Sequence, residues 1–335
     1  MPSVDPIVAV DVMGGDHAPD VVLEGVSQAL GADEGLRVLL VGPRDIITPH
    51  ASARITPVEA AEVIAMDEHP ATAVRAKKDS SIVVGCRLVR EARAHAFFSA
   101  GSTGACMAAA TLGMGRIAGV TRPAIATIIP GREGPTVLLD VGANADVKPE
   151  MLVQFAHMGV AYARTILGVD DPRIGLLNIG EEETKGSLLA QEAFGLMSAT
   201  VPGFVGNVEG RDVPAGTVDV IVTDGFTGNV TLKVMEGLAS MLFGEVKAAL
   251  SDGIVNKLAA SVVAPSLRRM KDRLDPDAYG GAPLLGVNGV CIIGHGSASS
   301  RAVANGIGVA ARAVRGDLTG VIASGLSADA PQSTV

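Results

Sequence analysis

The chain has 335 residues, a formal net charge of −9, and 48% apolar but only 3% aromatic residues. Nucleic acid is not an expected partner, because its binding usually needs a basic face. Cys86, Cys106 and Cys291 lack CxxC spacing, so we expect a reducing compartment and no metal site. The N-terminus has no signal-peptide pattern and no apolar run reaches about 18 residues, so we expect a cytoplasmic protein.

Short apolar runs that end in glycine-rich loops recur along the chain, and a helical pattern follows most of them. The predicted strands are residues 7–11, 37–41, 95–99, 136–140, 174–179, 218–223 and 289–293. The predicted helices are residues 105–114, 187–197, 230–250 and 298–314. This order predicts an open, largely parallel α/β sheet with helices on both faces, whose strands end along one edge where ligands bind.

Two further features complete the predicted organisation. Residues 125–130 and 136–140 flank a turn and predict an antiparallel hairpin added to the sheet. We expect a single α/β catalytic domain over residues 6–318. The tail at residues 319–335 is rich in small and polar residues and is expected to be partly disordered.

Small residues and hydroxyls follow the predicted strand at residues 95–99 and precede a helix. Free backbone N–H groups and the positive end of a helix attract phosphate. A tight turn capped by Ser102 or Thr103 explains the same residues, and both interpretations can hold together. The candidate phosphate-binding residues are Ser99, Gly101, Ser102, Thr103 and Gly104.

Residues 178–186 contain three adjacent glutamates and, two positions later, Lys185. Glutamates are common in the first turn of a helix, so a solvated helix start is one explanation. If the loop instead faces a cleft, Lys185 supplies a point cation for a phosphate or an oxyanion.

Two other loops place polar side chains after predicted strands. Asn229 is either the N-cap of the next helix or an amide donor to substrate. His295 lies between two glycines, which favours a cleft over the core because it leaves the ring little cover. Asp11, Asp16 and His17 offer oxygen and nitrogen ligands for a cation, but no metal-ligand spacing supports a metal site.

The segment VDVMGGDHAP at residues 10–19 resembles the N-terminal signature of the bacterial phosphate acyltransferase family (acyl-carrier-protein:phosphate transacylase). Further motifs match in order at residues 99–105, 140–144, 178–186, 224–229, 279–286 and 295–297, so the resemblance spans residues 6–315. One departure is Ile293, where many members carry lysine. The motifs contain further cleft candidates: Asp11, Gly14, Gly15, Asp16, His17, Asp140, Asn144, Glu181, Glu182, Asp224 and Gly225.

The resemblance implies a fold related to phosphotransacetylases and isopropylmalate-type dehydrogenases, a homodimer, and a role at the start of phospholipid synthesis. The implied reaction converts acyl-acyl-carrier protein and inorganic phosphate to acyl phosphate and free carrier protein. A membrane glycerol-3-phosphate acyltransferase is the implied downstream partner. We expect no cofactor.

The expected mechanism needs no enzyme nucleophile, because a thiol with a pKa near 8.5 leaves readily as thiolate. Lys185 and residues 99–104 are expected to hold phosphate, and Asn229 to donate to phosphate or to the oxyanion. His295 is expected to assist proton balance. Two alternatives are a metal- and NAD-dependent dehydrogenase on a related fold and a non-catalytic sensor of acyl-carrier protein.

Residues 246–263 carry apolar side chains at a four-residue step, namely Leu250, Ile254, Leu258 and Val262. Such a step keeps one face of a helix apolar. A helix buried in the core or in a dimer interface explains the pattern. An apolar tip that touches the membrane reversibly explains it equally, because basic residues at 268–273 would meet anionic lipid.

Overall fold

A computed structural model of the chain describes residues 5–274 and 276–328, without the side chains of residues 254, 255, 257–259, 271–274, 276, 277 and 328. Within these ranges one sheet has the strand order β3-β2-β1-β4-β11-β10-β5-β6-β9-β7-β8. Its strands are β1 (Ile7–Asp11), β2 (Arg37–Gly42), β3 (Ile55–Glu59), β4 (Ala96–Ser99), β5 (Ala124–Pro130), β6 (Pro135–Leu139), β7 (Ile174–Asn178), β8 (Phe204–Glu209), β9 (Val220–Val222), β10 (Ala282–Leu285) and β11 (Val290–Ile293).

Helices cover both faces of the sheet. They are α1 (Asp20–Ala32), α2 (Arg44–Ile47), α3 (Pro70–Ala76), α4 (Ser81–Arg90), α5 (Thr103–Gly113), α6 (Pro149–Tyr162), α7 (Leu188–Thr200), α8 (Asp212–Ala215), α9 (Gly225–Ser251), α10 (Gly253–Leu274), α11 (Ser300–Arg315) and α12 (Leu318–Ala328). Adjacent residues of a strand enter different cores: Phe98 packs with α1 and α11, whereas Phe97 packs with α4 and α5. The predicted α/β class, with helices on both faces, is therefore confirmed.

The centre of the sheet is antiparallel. The predicted hairpin is confirmed, since β5 and β6 pair antiparallel with Ala126 opposite Leu139. Strand β10 pairs antiparallel with both β11 and β5, whereas the outer pairings are parallel. Three successive reversals turn the two halves of the sheet in opposite directions. The expectation that all strands end along one edge is therefore wrong: β1, β4 and β11 end at one edge, and β6, β7 and β9 end at the other.

The structure corrects one helical prediction and adds a helix to the first part of the predicted tail. The helix predicted over residues 246–263 is divided, because Asp252 is extended and Gly253 takes a left-handed φ of +79°. The predicted tail at 319–335 is helical as far as Ala328, since Leu318 and Ile322 of α12 are buried one turn apart. Residues 329–335 lie outside the described ranges.

No helix in the described part of the chain is long and apolar enough to cross a membrane.

Candidate active site

A cavity of about 510 Å³ lies over the central strands, where the strand direction changes. One side is formed by residues after β4 and β11, and the other by β5 and the first turns of α9. Its polar lining includes Asp16, Gly101, Thr103, Asn229, Lys233, Glu236, Tyr279 and His295. Its apolar lining includes Met66, Ile125, Ile128, Val141, Leu232 and Ala302. The structure thus brings five predicted residues to one cleft, namely Asp16, Gly101, Thr103, Asn229 and His295.

The predicted phosphate loop forms the N-terminus of α5. Ser102 is its N-cap: its Oγ accepts from the N–H of Ala105 at 3.4 Å, and its carbonyl accepts from Cys106. The capped-turn interpretation is therefore confirmed for Ser102. The N–H groups of Thr103 and Gly104 have no hydrogen-bond partner among the described residues. They remain available at the positive end of the helix.

Buried polar residues support this loop from beneath. The Ser99 hydroxyl donates to Asp11 Oδ2 at 2.7 Å and accepts from the N–H of Gly101 at 3.0 Å. Burial raises the pKa of the Asp11 carboxyl. A Cβ at Gly14 would lie 2.8 Å from Asp11 Oδ2, Ser99 Oγ and Gly101 N. Asp11, Gly14 and Ser99 therefore shape the loop and do not line the cleft.

A second buried carboxylate fixes the opposite wall. Asp140 accepts from the N–H groups of Ile125 at 3.0 Å and Asn144 at 2.7 Å, and burial raises its pKa. The carbonyl of Asn144 accepts from the N–H of Gly225 at 2.7 Å. A Cβ at Gly225 would lie 2.7 Å from that carbonyl oxygen. These contacts join the end of β6 to the start of α9.

The start of α9 distinguishes the two interpretations of Asn229, as the N-cap of the helix or as an amide donor to substrate. Asp224 is the N-cap, since its carboxylate accepts from the N–H of Thr227 at 2.8 Å and from its hydroxyl at 2.7 Å. The cap interpretation of Asn229 is therefore wrong. Asn229 lies in the second turn, where its side chain is exposed and lines the cleft beside Gly142.

His295 is exposed in the cleft, so the core alternative is wrong. Its Nδ1 accepts from the N–H of Ser297 at 3.2 Å and lies 2.9 Å from Ser297 Oγ. A nitrogen that accepts a hydrogen bond carries no proton in the neutral ring, so the proton lies on Nε2. The N–H of Asp16 donates to the carbonyl of Gly296 at 2.7 Å. This hydrogen bond joins the segment at residues 10–19 to the loop that contains His295.

The residues after β7 do not reach this cleft. Lys185, Glu181 and Glu182 are exposed and absent from its lining. Glu181 lies 3.4 Å from Arg211, whereas Lys185 forms no ion pair with the described residues. Strand β7 lies beyond β6 and β9 in the sheet, so its loop is farther from the central strands than Gly142 and Asn229, which follow β6 and β9 and line the cleft. His17 is also exposed and lies outside the lining.

Sequence reasoning missed Lys233 and Tyr279 as cleft residues. Lys233 follows Asn229 by four positions in a predicted helix, a spacing that puts both side chains on one face. That spacing would have found it. Among the described residues no group of three His, Cys, Asp or Glu side chains is placed to hold a metal ion.

The fold is that of the phosphotransacetylases. EutD phosphotransacetylase from Staphylococcus aureus has a TM-score of 0.59 at 16% identity, covering 93% of this chain and 95% of that one. A branched-chain phosphotransacylase from Enterococcus faecalis V583 has a TM-score of 0.59 at 14% identity, covering 92% and 99%. A 4-hydroxythreonine-4-phosphate dehydrogenase from Klebsiella pneumoniae shares the fold with a TM-score of 0.53 at 14% identity, covering 94% and 100%.

The chain belongs to the fatty acid synthesis protein family, which it matches over residues 7–320. It is 54% identical over 316 residues to the phosphate acyltransferase of Heliobacterium modesticaldum, covering 92% of this chain and 94% of that protein. It is 47% identical to the phosphate acyltransferase of Desulforudis audaxviator, covering 95% and 96%. The resemblance drawn from the motifs is therefore confirmed.

Proposed function

We propose that this chain is a phosphate acyltransferase that moves an acyl group from acyl-carrier protein to inorganic phosphate. The observation that carries this proposal is the composition of the cleft. The open N–H group of Thr103 and the amide of Asn229 share it with apolar side chains such as Ile125. The polar groups of the cleft suit an anion and its apolar side chains suit an acyl chain.

In the proposed reaction a phosphate oxygen attacks the thioester carbonyl carbon. The tetrahedral intermediate collapses with cleavage of the C–S bond, and the phosphopantetheine sulfur leaves as thiolate. The protein orients the two anionic substrates and stabilises the oxyanion. Phosphate is held by residues 99–104, and Asn229 donates to phosphate or to the oxyanion. Lys185 lies outside the cleft lining and contacts phosphate only if its loop approaches the cleft during turnover. The Nε2–H of His295 donates a hydrogen bond to the departing thiolate and stabilises its charge.

The two alternative functions are less well supported. A dehydrogenase with the same fold would need acidic metal ligands and an adenine pocket, for which the cleft offers no matching set among the described residues. A non-catalytic sensor of acyl-carrier protein would have no use for open phosphate donors beside an apolar wall.

The experiment is release of free thiol from acyl-acyl-carrier protein, measured with and without inorganic phosphate. A transferase releases thiol only when phosphate is present, with one acyl phosphate formed per thiol. Release that is independent of phosphate, or none in either condition, contradicts the proposal.

The remaining partners follow from the same proposal. A second copy of the chain fits the exposed apolar stripe of α9, and a downstream membrane glycerol-3-phosphate acyltransferase takes the acyl phosphate. We propose a cytoplasmic protein with reversible contact between its α9–α10 tip and the inner face of the membrane. The exposed Val262 and basic Arg268 and Arg269 support that contact.

A further inference from the structure

The cleft contains one lysine that no motif had pointed to. Lys233 is the only lysine or arginine among the described residues that line it. The acidic side chains of Asp16 and Glu236 line the same cleft, and the whole chain carries a net charge of −9. A phosphate that enters the cleft therefore needs a local cation to offset these negative charges.

The position of Lys233 directs it toward the other phosphate donors. Asn229 and Lys233 are four residues apart on α9, so they lie one turn apart on the same helical face. Both line the cleft together with Gly101 and Thr103, whose loop carries open N–H groups. An anion between α5 and α9 would thus meet backbone donors, an amide and an ammonium group.

Glu236 holds this lysine. Its Oε2 lies 2.8 Å from Lys233 Nζ, with the two side chains 57% and 39% exposed for lysine and glutamate. An exposed pair three residues apart on a helix adds little to stability. This pair instead borders a cavity, where fixing the ammonium group limits its motion before substrate arrives.

We infer that Lys233 is a catalytic residue that binds the attacking phosphate, and that Glu236 is a positioning residue that acts through it. The inference rests on the proposed function and names the cation of that site. The Lys233 ammonium neutralises phosphate charge and the developing oxyanion, and it exchanges no atom with either substrate. As phosphate binds, Lys233 divides its hydrogen bonds between Glu236 and a phosphate oxygen.

The test compares Lys233→Met, which keeps the length but removes the charge, with Lys247→Met. Lys247 is exposed on the same helix, about 20 Å further along it. Thiol release is measured over a range of inorganic phosphate concentrations. We expect Lys233→Met to lower kcat/KM for phosphate about a hundredfold, as loss of one oxyanion donor does. Lys233→Arg should recover part of that loss, and Lys247→Met should match the wild type.

The variant Glu236→Gln tests whether Glu236 positions the ammonium group of Lys233. We expect it to raise the KM for phosphate severalfold while kcat, the KM for acyl-acyl-carrier protein and the melting temperature stay near the wild-type values. A merely structural role would instead lower the melting temperature and leave the KM for phosphate unchanged.

A binding measurement separates this inference from the proposed function. Inorganic phosphate should raise the melting temperature of the wild type by mass action but not that of Lys233→Met. Wild-type turnover and a wild-type phosphate shift in folded Lys233→Met would overturn the inference. If Lys233→Met fails to fold, Lys233→Gln is measured in the same way. A wild type that binds phosphate through Lys233 but releases no thiol would reject the proposed function alone.

Discussion

Asp224 and Asn229 lie one turn apart at the start of α9, and substitution separates their roles. Asp224→Ala removes the N-cap and should lower the free energy of unfolding by about 1 kcal/mol. Asn229→Ala removes a cleft amide and should lower turnover at least tenfold with an unchanged melting temperature. Thermal melts and thiol release on the same preparations check both. A purely thermal effect of Asn229→Ala contradicts its assignment to the substrate.

Lys185 gives a second prediction at the scale of one residue. Its exposed ammonium has no ion-pair partner among the described residues and lies outside the cleft lining. If it contacts phosphate during turnover, Lys185→Ala should lower thiol release about a hundredfold at saturating acyl-acyl-carrier protein. The control is Lys148→Ala, an exposed lysine before α6. Near-normal turnover of folded Lys185→Ala would make Lys185 an ordinary surface residue.

Helices α1 and α11 are joined at their C-terminal ends by Asp33 and Arg315. The two carboxylate oxygens accept from the guanidinium at 2.7 and 2.8 Å. This contact lowers the pKa of Asp33 from its ordinary value of 3.8. The folded state therefore favours the charged carboxylate, and the resulting stability is present above pH 3.8 and is lost as the pH falls through the lowered pKa.

Asp33→Asn should accordingly reduce the free energy of unfolding by about 0.5 kcal/mol at pH 7. The difference from the wild type should disappear once the pH falls below the lowered pKa of Asp33. Urea unfolding at several pH values measures it. Glu133→Gln is the control, because the Arg132–Glu133 pair is mostly exposed and should contribute nothing measurable. A difference that is independent of pH would mean that packing, not charge, joins the two helices.

The sequence predicted most of the strands, but fewer of the helices and not the direction of every strand. Buried runs such as β1 and β4 were recognisable because all their apolar positions except the partly buried Ile7 lie in the core. Strands β3 and β10 contain Pro57 and Pro283, and proline argues against a strand in local pattern reading. Strand β10 runs antiparallel to both β11 and β5, so those two strands run in the same direction and β10 adds no net reversal. The direction of β7 is reversed at the β5–β6 hairpin, and the order of the strands beyond that hairpin, which no local pattern gives, sets the position of Lys185.

Cleft residues were predictable from the sequence where a single loop contains both glycines and polar side chains after a strand. Gly101, Thr103 and His295 could be selected because glycine-rich loops after strands have few structural explanations. Asp11 and Asp140 were selected for the same reason, yet they are buried beneath the loops. Distinguishing a side chain that lines a cleft from one that supports it depends on packing between distant segments. No single segment contains that information.

At the scale of the whole molecule, α9 exposes an unpaired apolar stripe. Its exposed members are Phe226, Val230, Val234, Leu238, Met241, Leu242 and Val246. The stripe extends about 30 Å along the helix from Phe226 to Val246, and at about 10 Å wide it covers roughly 300 Å², less than half of one partner's share in a standard interface. We expect Val234→Glu combined with Leu238→Glu to convert a dimer to a monomer in light scattering. Leu112→Glu, an exposed apolar site on α5, should remain dimeric. An unchanged mass in the double variant would assign the stripe to another partner.

The tip where α9 meets α10 gives the last prediction. Leu250 is partly buried and Val262 is 79% exposed, whereas the side chains of Ile254 and Leu258 lie outside the described ones. Ile254→Glu combined with Leu258→Glu should abolish flotation with anionic liposomes, because carboxylates resist burial among lipid chains and repel the headgroups. Thiol release and dimer mass of this variant in solution should stay unchanged. Flotation of the wild type should weaken with added salt, because salt screens the charges of Arg268 and Arg269. Val205→Glu, an exposed site on β8, should still float. Loss of dimer mass or of folding in the tip variant would assign these residues to an interface or to the core.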